Sequence, residues 1–177
     1  MKIVGIAGKA ESGKTTFANI LKEQLELENK RVLLINYGDF VKFIAKQYYS
    51  WNGEKDENGR ALLQRIGTEQ GRNKVSENIW VDMVINTVEV TKEDYDIAIV
   101  ADCRFPNEFD RWNERGYNML KIKIMRITHE SKLTEEQKQH PSEIALDNYN
   151  DDMIIIQNEG SLDDLQNIAK QMVKVYF

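Results

Sequence analysis

The sequence predicts an α/β fold, a three-layer, doubly wound parallel sheet of about five strands between two layers of helices. Short apolar runs alternate along the chain with amphipathic stretches of helical length, which is the order of elements in successive βα units. The run 97–101, IAIVA, is apolar at every position instead of at alternate ones. That pattern is typical of a strand in a parallel sheet that helices cover on both faces.

The predicted elements alternate between strands and helices along most of the chain. Apolar runs bounded by polar or turn-forming residues predict strands at 2–7, 31–36, 96–101, 118–125 and 153–157. Amphipathic patterns predict helices at 14–28, 40–49, 61–72, 80–90, 107–115 and 162–176. Ligands of such sheets bind at the carboxyl ends of the strands, so the residues directly after each strand are the first candidates for a site.

Length and composition exclude several classes of protein. The chain has 177 residues, enough for a single domain, and its 41% hydrophobic and 30% charged residues are typical of a globular protein. No apolar run approaches the roughly 18 residues of a membrane span, and the first residues do not resemble a signal peptide. The single cysteine, Cys103, suits a reducing compartment. We therefore expect a cytoplasmic protein that does not bind membranes.

The charge and the helix patterns bear on its partners. A net charge of -5 argues against binding to a nucleic acid polymer, because such proteins usually carry a basic face. It still allows a small anionic ligand held by a few arginines. No helix carries a long heptad repeat, which leaves the oligomeric state open between monomer and homodimer.

One long polar stretch, 128–152, connects the fourth and fifth predicted strands. A connection of that length in a compact domain is usually functional or mobile. We interpret residues of about 128–150 as a mobile, lid-like insertion in a single domain that spans 1–177. The alternative is a solvated surface helix.

Residues 5–16, GIAGKAESGKTT, contain the pattern Gly-x-x-x-x-Gly-Lys-Thr between a predicted strand and a predicted helix. Backbone N–H groups of such a loop and the N-terminus of the helix surround a phosphate anion. Lys14 would reach the terminal phosphates of a nucleoside triphosphate, and Thr15 would place its hydroxyl on Mg²⁺. The predicted phosphate-binding residues are Gly8, Ala10, Glu11, Ser12, Gly13, Lys14, Thr15 and Thr16.

Polar residues also follow two other predicted strands. Asp102 stands where a carboxylate that holds Mg²⁺, directly or through water, belongs in these folds; alternatively it caps the next helix. Arg104 can present its forked donors to an acceptor phosphate. Asp39 would orient an acceptor group or a metal-bound water, act as the N-cap of the helix beginning at residue 40, or do both.

Three more side chains are candidates. Arg65, on the predicted helix 61–72, would share a face with Thr68 and Arg72 and grip a monophosphate, unless that face is only solvated. Trp80 would lie against a base or in the core. Arg126, after the fourth strand, would lie over the donor phosphates.

A signalling GTPase is disfavoured, because its motifs are missing. TKED at 91–94 precedes a strand instead of following one, and DCRF stands where the Asp-x-x-Gly switch is expected. A nucleotide-dependent switch or binding module is the alternative to an enzyme, and the missing motifs count against it.

Four stretches, GKAESGKTT, LLQRIGTEQGR, DCRFPNE and HPSEIALD, resemble the bacteriophage-type deoxynucleoside monophosphate kinases of the P-loop nucleoside monophosphate kinase group. The resemblance implies that the γ-phosphoryl group of ATP moves to a deoxynucleoside monophosphate with the help of Mg²⁺. It implies that Lys14 and Thr15 serve the donor, that Arg65 and Arg104 bind the acceptor phosphate, and that Asp102 belongs to the metal or the polar network.

The same resemblance implies that Arg126 and residues 140–143 belong to the lid side. It leaves Trp80, Asp39 and Glu143 as lower-ranked candidates for the acceptor site. After Arg126 the stretch departs from the family pattern, because lysines stand in place of arginines, at Lys132 and Lys138. Which cations cover the ATP phosphates is therefore open. The nearest alternative activity is that of another small-acceptor kinase, of the dephospho-coenzyme A or phosphomevalonate type.

Overall fold

The computed structural model describes residues 1–126, 133–149 and 152–177. Within these residues, one sheet contains the strands β1 (Lys2–Ala7), β2 (Val32–Ile35), β3 (Ile97–Cys103), β4 (Met119–Met125) and β5 (Ile154–Gln157). They are hydrogen-bonded in the order β2-β3-β1-β4-β5, and every neighbouring pair is parallel. The predicted parallel α/β sheet is confirmed.

Helices connect the strands and cover both faces of the sheet. The long helices are α1 (Lys14–Leu27), α2 (Tyr37–Tyr49), α3 (Glu57–Gln64), α4 (Ile79–Thr91), α5 (Asn107–Glu114) and α8 (Leu162–Tyr176), with the short helices α6 (Glu135–Lys138) and α7 (Pro141–Ile144) between β4 and β5. Helix α3 continues directly into a π-helix, Arg65–Val75. The predicted helix at 61–72 is therefore the end of α3 and most of this π-helix.

Strand β3 explains why the run 97–101 is apolar at every position. Ile97, Ile99 and Ala101 pack into a core with α1 and α8, while Ala98 and Val100 pack into a second core with α2, α4 and α5. All five side chains are at most 4% exposed. The helices thus form two layers, one on each face, as predicted.

Parallel strands bring their carboxyl ends to one edge of the sheet. The loop after β1, Arg104 after β3, Arg126 after β4 and Asn158 after β5 all lie there, and α2 begins two residues after β2. The central strands β1 and β3 are neighbours, so the loop and Arg104 are brought together.

The predicted lid-like insertion at about 128–150 is described from 133 to 149, where it contains α6 and α7. Residues 128–132 and 150, including Lys132, lie outside the described residues. Of the helices that the structure describes, none is long and apolar enough to span a membrane.

Candidate active site

The loop of residues 8–15, called the P-loop below, joins β1 to the N-terminus of α1. Gly8 and Gly13 have φ values of +148° and +95°, which side chains with a Cβ rarely adopt. At Gly8 a Cβ would also collide with the carbonyl oxygen of Ile124 on β4. The glycines of the sequence pattern are therefore needed for the path of the loop.

Two buried polar groups support the P-loop from inside. The side-chain amide of Asn158 donates to the carbonyl oxygen of Ser12 at 2.9 Å, and its own backbone N–H donates to Met125 at 2.7 Å. The Ser12 hydroxyl is buried and has no hydrogen-bond partner within the described residues. The sequence analysis did not name Asn158 as a site residue. Its position directly after β5, at the edge where ligands bind, could have indicated it.

Lys14 is buried against the loop it belongs to. Its ammonium group donates to the carbonyl oxygen of Lys9 at 2.5 Å. The pKa of Lys14 is lowered to about 7, chiefly by burial and then by the positive charge of Arg104, while Glu143 and Asp102 oppose the shift. An anion bound in the loop would favour the charged form of this lysine.

Asp102, at the end of β3, caps a helix, but the helix is α2 and not the next one along the chain. Its two carboxylate oxygens accept the backbone N–H groups of Tyr37 and Gly38, each at 2.9 Å. Burial raises the pKa of Asp102, and these two hydrogen bonds oppose the rise. A carboxylate at the positive end of a helix fixes the position of α2 relative to β3.

Asp39 does not act as the N-cap of a helix that begins at residue 40. Helix α2 begins at Tyr37, and Asn36 and Asp39 form a capping box at its start. The Asp39 side chain is about half exposed and pairs with Lys42 at 2.8 Å. Asp39 is not among the residues that line the cavity described next.

A cavity lies beside the P-loop, between α2, the α3–π-helix segment and the end of β3. Its volume is about 240 Å³, slightly below the roughly 300–1,000 Å³ of most small-molecule sites. Its lining includes five cations, Lys42, Lys55, Arg60, Arg72 and Arg104. Burial and then the charges of Lys42, Arg60 and Arg104 lower the pKa of Lys55. We call this space the acceptor-side cavity.

Arg104 reaches this cavity and also contacts α7. Its guanidinium pairs with the carboxylate of Glu143 and donates to the carbonyl oxygen of Ser142 at 3.2 Å. The other oxygen of Glu143 accepts the backbone N–H of Ala10 in the P-loop at 2.8 Å. Glu143 therefore connects the P-loop to Arg104.

Arg65 is not brought to the acceptor-side cavity. It is exposed, and its guanidinium lies 5.6 Å from the ring centroid of Tyr49. The residues of this helix that line the cavity include Arg60, Gln64, Thr68 and Arg72, four apart in sequence. A π-helix has a wider turn than an α-helix, so residues four apart stay close to one face and the face predicted from α-helical spacing is displaced.

Trp80 belongs mainly to the core. It is 4% exposed, and its indole N–H donates to the carbonyl oxygen of Gly67 at 2.7 Å. One side of it nevertheless lines the acceptor-side cavity. Trp80 is thus a core residue, and its contact with a base stays a prediction.

Glu108 and Arg72 form a buried pair that the sequence prediction did not assign. Their side chains are 3.3 Å apart and at most 9% exposed. Glu108 also accepts the backbone N–H groups of Arg104 and Phe105, so it holds the segment that carries Arg104. Burial raises the pKa of Glu108 to about 7.

A second cavity lies on the other side of Ala10. It is lined by residues 8–12 of the P-loop, residues 123–126 at the end of β4, and Asp147. Arg126 is exposed there, beside the loop. Thr15 and Thr16 are exposed on the first turn of α1. We call this space the donor-side cavity; Ala10 lines both cavities.

The residues present suit a metal ion that is held mostly by its substrate. Among the described residues, no three His, Cys, Asp or Glu side chains cluster as a metal site. Mg²⁺ commonly keeps several waters and takes one or two protein ligands besides phosphate oxygens. The exposed hydroxyl of Thr15 can be such a ligand, and Asp102, with both oxygens on backbone N–H groups, can act through water.

Solved structures resemble the whole described fold. A sugar kinase from Janibacter sp. is 12% identical with a TM-score of 0.61, over 99% of this chain and 96% of that chain. The tunicamycin resistance protein of Deinococcus radiodurans is 13% identical with a TM-score of 0.57, over 99% and 96%. The APS kinase CysC of Mycobacterium tuberculosis, in complex with AMPPNP and APS, is 11% identical with a TM-score of 0.54, over 98% and 97%. At these identities the likeness concerns the fold alone.

Sequence comparison is more specific. The chain is 38% identical over 88 residues to the deoxynucleoside-5'-monophosphate kinase of Escherichia phage T5, a match that covers 49% of this chain and 34% of that protein. The chain thus spans about a third of the length of that relative. A family model described as deoxynucleotide monophosphate kinase matches residues 30–168, well over half of the chain. The chain therefore belongs to the deoxynucleotide monophosphate kinase family.

Proposed function

We propose that the protein transfers the γ-phosphoryl group of ATP to a deoxynucleoside monophosphate, giving ADP and the deoxynucleoside diphosphate. One observation carries the proposal: the donor-side and acceptor-side cavities meet at Ala10 of the P-loop. Two phosphate-bearing substrates bound in these cavities would bring their phosphates together beside Lys14 and Arg104. Family membership supports the same activity.

The donor would bind through the P-loop. The backbone N–H groups of residues 10–15 and the N-terminus of α1 would surround the β- and γ-phosphates. Lys14 would move from the carbonyl oxygen of Lys9 to a phosphate oxygen, and Arg126 would lie beside the phosphates in the donor-side cavity. Thr15, and Asp102 through water, would hold Mg²⁺, which would neutralise charge on the phosphates.

The acceptor phosphate would bind among the cations of the acceptor-side cavity. Arg104 is the one nearest the donor, because its partner Glu143 also contacts Ala10. Lys55 and Arg60 also line this cavity, and the lowered pKa of Lys55 reflects, after burial, the positive charge already gathered there. A dianionic phosphate would relieve that repulsion. Arg65 and Asp39 remain candidates only if they move on binding.

Catalysis would come from positioning and charge neutralisation. An oxygen of the acceptor phosphate attacks the γ-phosphorus of ATP, and the bond from that phosphorus to the ADP oxygen breaks. Little covalent chemistry is left for the protein in such a transfer. Lys14 and Arg104 would hold the two reacting groups in line and stabilise the charge on the transferred phosphoryl group.

Under this proposal the partners are small nucleotides and not nucleic acid polymers or membranes. The protein would act in the cytoplasm as a monomer or a homodimer, which sedimentation equilibrium can distinguish. The insertion at about 128–150 would act as a lid over the phosphates.

Product analysis tests the activity. The protein is incubated with Mg-ATP and, separately, with dAMP, dGMP, dCMP, dTMP, dephospho-coenzyme A or phosphomevalonate, and nucleotides are resolved by chromatography. We expect a deoxynucleoside diphosphate from at least one of the four nucleotides. Phosphorylation of dephospho-coenzyme A or phosphomevalonate, and of no nucleotide, would contradict the proposal and indicate another small-acceptor kinase. ATP hydrolysis at a rate that no acceptor changes would favour a nucleotide-dependent switch.

A further inference from the structure

One side of the acceptor-side cavity is a stripe of four residues from α3 and the π-helix, Arg60, Gln64, Thr68 and Arg72. The two residues at its ends are cations, and the two in the middle are neutral and polar. Arg60 and Gln64 lie four apart on α3, and Thr68 and Arg72 lie four apart on the π-helix. Residues four apart stay close to one face in both kinds of helix.

The cations at the ends of the stripe are already held by the protein. Arg72 pairs with Glu108 at 3.3 Å, and its guanidinium lies 3.8 Å from the ring centroid of Phe105. Arg60 donates to the carbonyl oxygen of Lys55 at 3.0 Å. Neither end of the stripe is therefore a freely moving group.

The two middle residues are different. Within the described residues, the side chains of Gln64 and Thr68 make no hydrogen bond. The hydroxyl of a threonine in a helix often donates a hydrogen bond to the carbonyl oxygen four residues earlier. Thr87 donates to Met83 in this way at 2.8 Å, and Thr91 donates to Thr87 at 2.9 Å. Thr68 makes no such bond to the part of the chain that the structure describes, so its hydroxyl is available to a ligand.

The walls near this pair suit a flat, heteroaromatic group. Val41 and Leu63 line the cavity with apolar side chains, and Trp80 and Phe105 line it with aromatic ones. Small-molecule sites of this kind combine apolar walls with a few polar groups that fix orientation. The apolar and aromatic side chains favour the base of a nucleotide as the group that lies here.

We propose that Gln64 and Thr68 hydrogen-bond the edge of the acceptor's base and so determine which bases are accepted. The inference rests on the proposed function, because it takes a nucleotide as the acceptor. A side-chain amide carries both an acceptor oxygen and two donor hydrogens, and a hydroxyl both donates and accepts. The pair can therefore bind donors and acceptors on the edge of a base.

Equilibrium binding tests this without requiring turnover. Titration calorimetry measures the Kd of dAMP, dGMP, dCMP, dTMP and the base-free 2-deoxyribose 5-phosphate. The proteins are wild type, Gln64→Leu, the neutral and near-isosteric Gln64→Met, and Thr68→Val. The control, Asn73→Leu, removes an amide from an exposed position of the same π-helix outside the cavity lining. Thermal melting checks that each variant is folded.

We expect the Gln64 and Thr68 variants to change the ratio of Kd values between at least two bases by tenfold or more. The Kd of 2-deoxyribose 5-phosphate stays within threefold of wild type, and the control leaves all ratios unchanged. Equal weakening of every ligand, the base-free one included, overturns the inference and leaves the proposed function standing. If wild type binds none of the mononucleotides, both are overturned.

Discussion

The carboxylate of Glu143 joins the P-loop to Arg104, accepting the N–H of Ala10 at 2.8 Å with one oxygen and pairing with the guanidinium through the other. Two lysines also bind the residues that follow α7. The ammonium group of Lys9 pairs with Asp147 at 2.9 Å, and that of Lys123 donates to the carbonyl oxygen of Leu146 at 2.9 Å. The segment around α7 thus lies where the two cavities meet, and a negative charge stands among groups that would bind phosphate.

The first prediction concerns that charge. In Glu143→Gln the side chain keeps its shape but no longer competes as an anion for the P-loop, so ATP should bind about three- to tenfold more tightly. The same change loosens Arg104, so the KM of the acceptor should rise. Calorimetry and initial rates measure the two effects; weaker binding of both substrates would show that Glu143 only stabilises the site.

Arg104→Ala should weaken the acceptor more than the donor. We expect the KM of the deoxynucleoside monophosphate to rise tenfold or more and the KM of ATP to change less than threefold, because the guanidinium faces the acceptor-side cavity. Arg115→Ala is the control, since its guanidinium makes a long contact, 3.4 Å, with Asn86, away from both cavities. A larger effect on ATP would assign Arg104 to the donor side.

Lys14→Ala should reduce phosphoryl transfer by about 10³-fold or more while the fold is retained, since the lysine acts on charge that develops in the transferred group. Lys22→Ala, on a more exposed part of the same helix α1, provides the comparison. Initial rates and thermal melting are measured for both. Normal activity of a folded Lys14→Ala protein would remove this lysine from the mechanism.

The lowered pKa of Lys14 also predicts an effect of pH. With a pKa of about 7 in the free protein, the amine is largely neutral at pH 8.5, and a bound phosphate favours the charged form. ATP binding should therefore take up close to one proton at pH 8.5 and fewer at pH 6. Calorimetry in two buffers with different ionisation enthalpies measures this uptake; its absence at pH 8.5 would contradict the assignment.

The same shift has a defined sign for stability. The pKa of Lys14 lies near 7 in the folded protein and at its ordinary value of 10.5 in the unfolded chain, so the unfolded chain binds more protons between these values. The contribution of Lys14 to the free energy of unfolding should rise with pH across that window. Lys14→Met should remove this slope in urea titrations at pH 7 and pH 9.

Asn158→Ala should lower stability by about 1–3 kcal/mol, because the buried carbonyl of Ser12 loses its donor. The P-loop would be less well held, so the Kd of ATP should rise as well. Asn167→Ala, on helix α8, serves as the comparison. Urea unfolding and calorimetry provide the measurements, and an unchanged Kd would restrict Asn158 to a structural role.

Local sequence patterns were enough to predict the α/β class, the strands to within about two residues, and the P-loop. These features are local: a strand covered on both faces must be apolar throughout, and a phosphate-binding turn needs glycine where φ is positive and a lysine at the start of the helix. The same rules predict Lys14 at the P-loop and Arg104 at the carboxyl end of β3, the strand beside β1.

Which side chains line the acceptor-side cavity could not be predicted from local patterns. The π-helix that begins at Arg65 places Thr68 and Arg72 in the lining and leaves Arg65 outside, because its wider turn breaks the period on which the prediction relied. Glu143 and Asn158 reach the P-loop across more than 130 residues of sequence. Such contacts depend on strand order and packing, for which no local pattern of residues exists.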